Sequence, residues 1–585
     1  MGDTMRKLIF FLLLAIWPLA TGNLALANNI RVENVSFYKA ADQPAGTIDI
    51  KFDVVWDNSF GLPGTDLQDA NSQSYYDRAW IFVKFWDSTQ MNSANPWGHA
   101  ILTTGGSLST YNVSTGIGLS PVEGAGSMGA FAVPGTNQTV RWNYAATLIP
   151  GFTSTYVTSS DTVKVRVMAI EMVRIPMGSF DLGDGNGTLE STNAFHVAAN
   201  TKLTIGTSLV QHIRVIVNGY DDDVIEGVVG SNTGIGIKGD GGIDYSVPED
   251  GVIDNPSFPT GYNAFYCMKY EVSQGQYRDF LNMLTRVQQT HRAGSGTTLA
   301  FGTTSVTNRY VMPNTPDAAN ISSANNYRNG IRCDATIPVI NPITFYCDYN
   351  NNGTPNESDD GEWIACNYLS WADLCAFADW AGLRPMTELE FEKASRGGGI
   401  TAIYQDWAGG TYATIDYFSN LIDAGKISEA KGATRANANC NISSAAPDGP
   451  IRCGMFSTSS STRTQSGASY YGLMEMSGNL WERCVTAGNG TSGNTIGGRA
   501  FTGTHGDGTL TTLANYEGNA TNSDWPGYYT NLSTRGIYDA TGSGYRGGGW
   551  YDGATYARVS DRYYAAYSVA DRSSSYGARL ARTSP

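Results

Sequence analysis

Between Asn28 and about Met168, apolar and polar residues alternate in short runs, among them Thr47 to Trp56, Ala79 to Trp86 and Thr162 to Met168, separated by clusters of Gly, Pro, Asn and Ser. A period of two places successive side chains on opposite faces of a strand, so this stretch predicts an all-β sandwich over 28–168. Its polar, acidic loops hold no catalytic set, and it is read as a spacer or presentation domain, with carbohydrate binding as an alternative. A second unit opens at Glu171, is interrupted by a Gly- and Asp-rich stretch from Asp184 to about Pro259, and resumes at Phe265. The stretch reads as a surface insertion; calcium binding is its alternative. The pattern then becomes helical. Tyr277, Phe280, Leu281 and Leu284 make one amphipathic helix within Glu271 to Val287. Ser370 caps a second helix with Asp373 at its N3 position; Leu374, Phe377, Ala378 and Ala381 form its stripe, and Gly382 ends it. Thr387 and Glu390 make a capping box for a short third helix carrying Phe391 and Ala394.

Composition fits a structured, strand-rich protein. The 585 residues are 41% hydrophobic and 11% aromatic but only 16% charged, with 68 glycines and 33 tyrosines. A net charge of -15 and the lack of any run of Lys and Arg argue against nucleic acid as a partner. Arg6 and Lys7, the apolar run Leu8 to Ala20 and then Ala25-Leu26-Ala27 fit a signal peptide over 1–27. No later run is long enough for a membrane span, so the expectation is a secreted or cell-surface protein. Export permits disulfides, and the eight cysteines at 267, 333, 347, 366, 375, 440, 453 and 484 are read as bridges or buried thiols, since none has close CxxC spacing.

Four segments in order carry a resemblance: EMVRIPMGSF at 171–180, WADLCAFADWAGLRPMTELEFEKASRG at 371–397, GLMEMSGNLWE at 472–482, and RGGGW at 546–550 ahead of GARLAR at 577–582. Together they resemble the formylglycine-generating enzyme, or sulfatase-modifying factor, family over about 171–582. The resemblance implies an α+β, C-type lectin-like domain over 169–585, with little regular secondary structure and an exposed C-terminal segment. It also implies calcium. Carried over by motif, Glu475 and Glu482 supply side-chain oxygens, and Gly478 and Leu480 backbone carbonyls; a first site maps to Asn437, the carbonyl of Ala438, Asp448 and the carbonyl of Pro450.

The family's oxygen-dependent chemistry uses two cysteines just after the glycine-rich motif, because a thiolate pair holds copper(I). Alignment on RGGGW puts Asp552 and Ala557 at those places, and no cysteine follows Cys484. No copper is expected, and no formylglycine formation. The related iron-dependent sulfoxide synthases need clustered histidines, but the five here, at 99, 196, 212, 291 and 505, include no pair at helical ligand spacing.

The stretch Tyr551 to Ala578 has an unusual alphabet. It lacks Lys, Glu, Gln, Met and Trp, the residues that an NNC codon cannot encode. In this it resembles the variable region of the target proteins of diversity-generating retroelements, in which the adenines of asparagine codons are randomised. The resemblance implies a fixed frame of Gly547 to Trp550, Arg558, Val559, Arg562, Val569, Ala570, Arg572 and Gly577 to Leu580, packed inward. The ligand-binding positions, pointing outward, are then Tyr551, Asp552, Gly553, Thr555, Tyr556, Asp561, Tyr563, Tyr564, Ala566, Tyr567, Ser568, Asp571, Ser573, Ser574, Ser575 and Tyr576. Tyr offers a large amphipathic surface at low rotamer cost and Ser, Gly and Asp adapt their hydrogen bonds, as in antibody paratopes. The expectation is a binding protein for a protein or surface-glycan ligand. The alternatives are an oxidase with altered catalytic residues and a lectin or adhesin of fixed specificity.

Overall fold

The computed structural model describes residues 30–38, 44–56, 59–60, 67–87, 97–103, 118–119, 128–145, 163–184, 194–196, 203–206, 213–217, 220–226, 236–237, 255, 257–293, 299–307, 309–312, 326–355, 357–435, 437–444, 448–487, 498, 500–529, 535–565 and 567–585. The leader expected at 1–27, most of the insertion expected at about 184–259, and Ala566 lie outside the described residues. Among the described residues, no helix is long and apolar enough to cross a membrane.

The N-terminal strands are β1 (Arg31–Tyr38), β2 (Thr47–Val55), β3 (Ser74–Asp87), β4 (Ala130–Ala132), β5 (Gly135–Asn143) and β6 (Val163–Ile175). β2 lies between β1 and β5 in one antiparallel sheet. β3 and β6 pair antiparallel from Tyr76↔Arg174 to Asp87↔Val163, and this pair belongs to a second, larger sheet. Alternation along β3 sends Ala79, Ile81, Val83 and Phe85 toward Ile50, Phe52, Val54 and Trp142 of the small sheet.

The second sheet does not stop at the boundary expected near residue 168, which falls inside β6. The far edge of β6 pairs with β7 (Phe265–Met268), from Phe265↔Ile175 to Met268↔Met172. Beyond β7 come β12 (Leu580–Thr583) and then β8 (Arg384–Pro385), so one sheet takes strands from both ends of the chain. The other face of β3 is therefore covered too. Trp80 and Phe82 pack on the helical layer, with Phe82 edge-on to Trp380 at 5.1 Å and Trp80 Nε1 donating to the carbonyl of Ala381 at 2.9 Å. Lys84 points the same way, fully buried, and burial pushes its ammonium down to about 7.

The helices are α1 (Gln274–Leu281), α2 (Arg286–Arg292), α3 (Trp371–Trp380) and α4 (Glu388–Arg396); Tyr277 and Phe280 of α1 and Phe377 of α3 share the core of Trp80 and Phe82, while Phe391 and Ala394 of α4 pack with Val173 and Cys267 on the other face of the sheet. The caps expected at Ser370 with Asp373 and at Thr387 with Glu390 both form. The single helix expected within Glu271 to Val287 is instead two. Thr285 caps α2, its hydroxyl accepting from the Gln288 N–H while the Gln288 side chain accepts the N–H of Thr285, and this box restarts the helix after a break at Asn282–Leu284. All eight cysteines are buried free thiols. With few helices and many short strands, the described residues form a mixed α+β architecture.

Candidate functional site

A small sheet holds the C-terminal segment. Its centre is β9 (Trp481–Val485), flanked by β10 (Ser543–Arg546), antiparallel, and β11 (Tyr576–Gly577), parallel. The segment leaves β10 through Gly547 and Gly548, both at positive φ; a Cβ on Gly548 would lie 3.0 Å from the backbone of Tyr556. It rejoins the sheet at β11. Between these points its backbone is tied down: Val559 N–H donates to the Asp406 carbonyl at 3.0 Å, Tyr545 N–H to the Tyr564 carbonyl at 2.9 Å, and Trp481 N–H to the Ser575 carbonyl at 2.8 Å.

Side chains divide between two environments. Of the expected frame, Val559, Arg558, Arg562, Arg572 and Arg579 are buried. Arg562 grips Glu388 with Nε and Nη2 at 2.7 and 2.8 Å, and Arg572 grips Asp373 with Nε and Nη2 at 2.6 and 2.8 Å. Arg546 reaches Glu392 at 2.5 Å and the Val559 carbonyl at 2.8 Å. Such forked pairs suit buried carboxylates, because they satisfy both oxygens in one geometry. Trp550 is buried as well, donating to the Ser574 carbonyl at 2.9 Å.

Of the expected outward positions, Tyr551, Tyr563 and Tyr567 are 67%, 42% and 44% exposed. Gly553, Thr555 and Asp571 are exposed too, while Asp552, Tyr556, Tyr564, Ser568, Ser573, Ser574, Ser575 and Tyr576 are half-buried. Two expectations are corrected. Asp561 is buried rather than outward: Oδ1 accepts the Tyr563 N–H at 3.2 Å, and burial pushes its carboxyl up to about 6. Ala570 is exposed and Val569 half-buried, so that part of the frame does not pack inward; Val569 contributes its carbonyl, which accepts from Arg483 Nη2 at 2.6 Å.

The tyrosines pack on a tryptophan outside the segment. Trp481 meets Tyr564 edge-on at 5.3 Å and Tyr556 at 5.8 Å, Tyr563 meets Tyr564 at 4.7 Å, and Tyr545 meets Tyr576 at 4.4 Å. The Arg483 guanidinium lies 4.2 Å from the centre of the Tyr545 ring. A pocket of about 150 Å³ opens here, lined by Trp481, Tyr545, Tyr551, Asp552, Tyr564, Tyr567, Ser575 and Tyr576. A reading confined to 551–576 misses Trp481 and Tyr545, although Trp481 lies within the motif at 472–482 and Tyr545 directly precedes RGGGW. A larger cavity, about 640 Å³, lies elsewhere, over Asp416, Lys431, Asn437 and Phe456.

The positions aligned with the copper ligands have other contacts. Asp552 Oδ2 accepts from Trp481 Nε1 at 2.6 Å and from the Gly549 N–H at 3.2 Å. Ala557 is packed with Trp407, Cys440 and Ile442. A carboxylate and a methyl group do not fit thiolate-held copper(I).

The two calcium sets differ. Glu475 Oε1 accepts the Gly454 N–H at 2.8 Å and Glu482 Oε1 accepts Arg579 Nε at 2.7 Å, while Oε2 of each is buried without a partner. Glu271, buried nearby, accepts the Leu480 N–H at 2.9 Å and Asn479 Nδ2. Burial raises all three carboxyls, Glu475 to about 7. Two buried carboxylate oxygens without a partner fit a divalent cation by donor type. The other set does not fit: Asn437 and Asp448 are exposed, the Ala438 carbonyl accepts Lys431 Nζ at 2.5 Å, and the Pro450 carbonyl accepts Arg328 Nη1 at 2.5 Å. Two side-chain cations already use those oxygens.

No curated protein matches the chain. A family model does: a sulfatase-modifying factor enzyme 1-like domain matches residues 237–584, more than half of the 585 and beginning later than the resemblance at Glu171. That domain has the C-type lectin-like fold, in keeping with the few helices and many strands. The chain therefore belongs to the sulfatase-modifying factor enzyme 1-like family.

Proposed function

We propose that this is an exported binding protein whose C-terminal face displays exchangeable side chains on a rigid, non-catalytic scaffold. The observation that carries the reading is the division within 551–576. Exposed Tyr551, Tyr563 and Tyr567 alternate with buried Arg558, Arg562 and Arg572, so most outward residues can change without breaking a buried ion pair. The aromatic pocket gives a protein or surface-glycan ligand large contact area with little rotamer entropy to lose. Calcium at Glu475 and Glu482 would neutralise buried carboxylates behind this face and stiffen it. With Asp552 and Ala557 in place of the two thiols, the oxidation of a substrate cysteine has no copper site to use.

The test is genetic and chemical. The codons for 550–578 are compared with their gene neighbourhood for a near-copy that differs only at adenines, beside a reverse transcriptase. Finding it supports the diversified face; an isolated gene with an invariant tail across isolates leaves a lectin or adhesin of fixed specificity. A copper-supplemented oxidation assay on thiol peptides is expected to give no aldehyde, and turnover would replace this reading with an enzyme.

A further inference from the structure

A stretch far from the C-terminal face has the spacing of a calcium loop. From Asp348 the chain reads Asp-Tyr-Asn-Asn-Asn-Gly-Thr-Pro-Asn-Glu-Ser-Asp-Asp, with Asp at position one, Asn at three and five, Gly at six and Asp at twelve. Helix-loop-helix calcium loops use this arrangement of oxygen donors, with Gly at six for the sharp turn and most often Glu at twelve. We propose that Glu357, Asp359 and Asp360, with Asn350 of the turn that Asp348 orders, bind calcium at a site distinct from the Glu475 and Glu482 pair.

The local geometry follows the pattern. Fully buried Asp348 accepts the Asn352 N–H on Oδ1 and the Gly353 N–H on Oδ2, both at 3.0 Å, and Gly353 takes a φ of +82°. Asn350 Oδ1 accepts the Asn352 N–H at 2.9 Å, and Asn352 Oδ1 accepts the Thr354 N–H at 2.7 Å. At the other end of the loop, one carboxylate oxygen each from Glu357, Asp359 and Asp360 lie within 4.8 Å of one another. No other group of three or more acidic, His or Cys side chains converges this closely among the described residues.

Crowded surface acids alone would mean little, but Asp360 is not on the surface. It is 1% exposed; Oδ2 accepts the Glu357 N–H at 2.6 Å, and Oδ1 is buried with no hydrogen-bond partner. A buried carboxylate oxygen left without a donor is costly, and a cation held with Glu357 and Asp359 removes that cost. The guanidinium of Arg332 pairs with Asp348 and donates to Asn351 Oδ1 at 3.0 Å, so Asp348 orders the turn; Asn352 Nδ2 donates to Glu357 and ties the turn to the three convergent carboxylates, and the motif gives Asn350 the third ligand position. An all-oxygen set of this kind selects calcium over the softer metals.

The test is calorimetric titration of the full chain with calcium after chelator treatment, on the wild type, on D359N/D360N and on N350A, with E475Q as a control for the other pair. Asn350 is exposed, so N350A leaves the fold intact. D359N/D360N is expected to lose one calcium equivalent, N350A to weaken that equivalent about tenfold, and E475Q to retain it. Unchanged stoichiometry and affinity in D359N/D360N, with wild-type circular dichroism, would overturn the proposal. So would magnesium displacing calcium from this site at equal concentration.

Discussion

Replacing Arg562 by Ala should destabilise the domain far more than replacing its neighbour Tyr563, and the difference can be worked from the geometry. Arg562 is fully buried, its fork closing on Glu388, which is itself fully buried. Removing one partner of a buried pair leaves an uncompensated charge, typically costing about 3–5 kcal/mol. Glu388 would keep some support: the Ala487 N–H at 2.7 Å, the Thr486 hydroxyl at 3.2 Å and Arg546 Nη1 at 3.7 Å. The guanidinium also loses its place 4.0 Å above the centre of the Phe195 ring. The lower end, about 3 kcal/mol, is therefore expected, a hundredfold or so in the unfolding constant. Tyr563 is 42% exposed and loses only its ring contacts with Tyr564 at 4.7 Å and Tyr556 at 5.6 Å, worth about 1 kcal/mol or less. Urea unfolding followed by circular dichroism measures both, as midpoint shifts at constant slope. Equal losses, or a larger loss for Tyr563→Ala, would refute the separation of a rigid frame from an exchangeable face.

Three further outcomes are expected. In calcium-free protein, Glu475 has a folded pKa raised to about 7 from 4.5, so its neutral form favours folding, and that stability is lost as pH rises from the ordinary carboxyl range through about 7. The loss is on the order of 3 kcal/mol, and Glu475→Gln should flatten that part of a stability-against-pH curve. Phe82→Ala should cost about 3–5 kcal/mol and lower the unfolding transitions of the N-terminal and C-terminal regions together, as read by site-specific hydrogen exchange, because Phe82 packs in the core they share. The eight thiols should be inert to a thiol-reactive dye in the native protein and all titrate after denaturation without reductant, since they are unbridged and buried.

What the sequence made legible depended on how local the cause was. The boxes at Ser370 and Thr387 close within four residues, and both helices start where those residues place them. The Thr285–Gln288 box is just as local, but the apolar stripe from Tyr277 to Leu284 runs up to it and hides the break. β3 was harder, because alternation shows that a strand has two faces and not what covers each one; here Lys84 lies as deep as Phe82. At the C-terminal face, the alphabet of 551–576 separated most exposed residues from buried ones, yet it could not show that the backbone turns Asp561 inward. Nor could it show that Trp481, far away in sequence, forms the floor on which the tyrosines pack. The calcium sets were ranked only once their neighbours were placed, since Lys431 and Arg328 occupy two of the carbonyls through contacts a motif does not contain.

The flanking of β9 by β10 and β11 has a further consequence for how this face can change. Strands on either side of a common neighbour lie only about 10 Å apart, so the ends of the intervening segment are brought together by the sheet rather than by the segment itself. Closure entropy then grows slowly with length: even a doubling adds only about 0.6 kcal/mol. Insertions and deletions between the buried arginines should therefore cost little, because the sheet holds both ends of the segment in place.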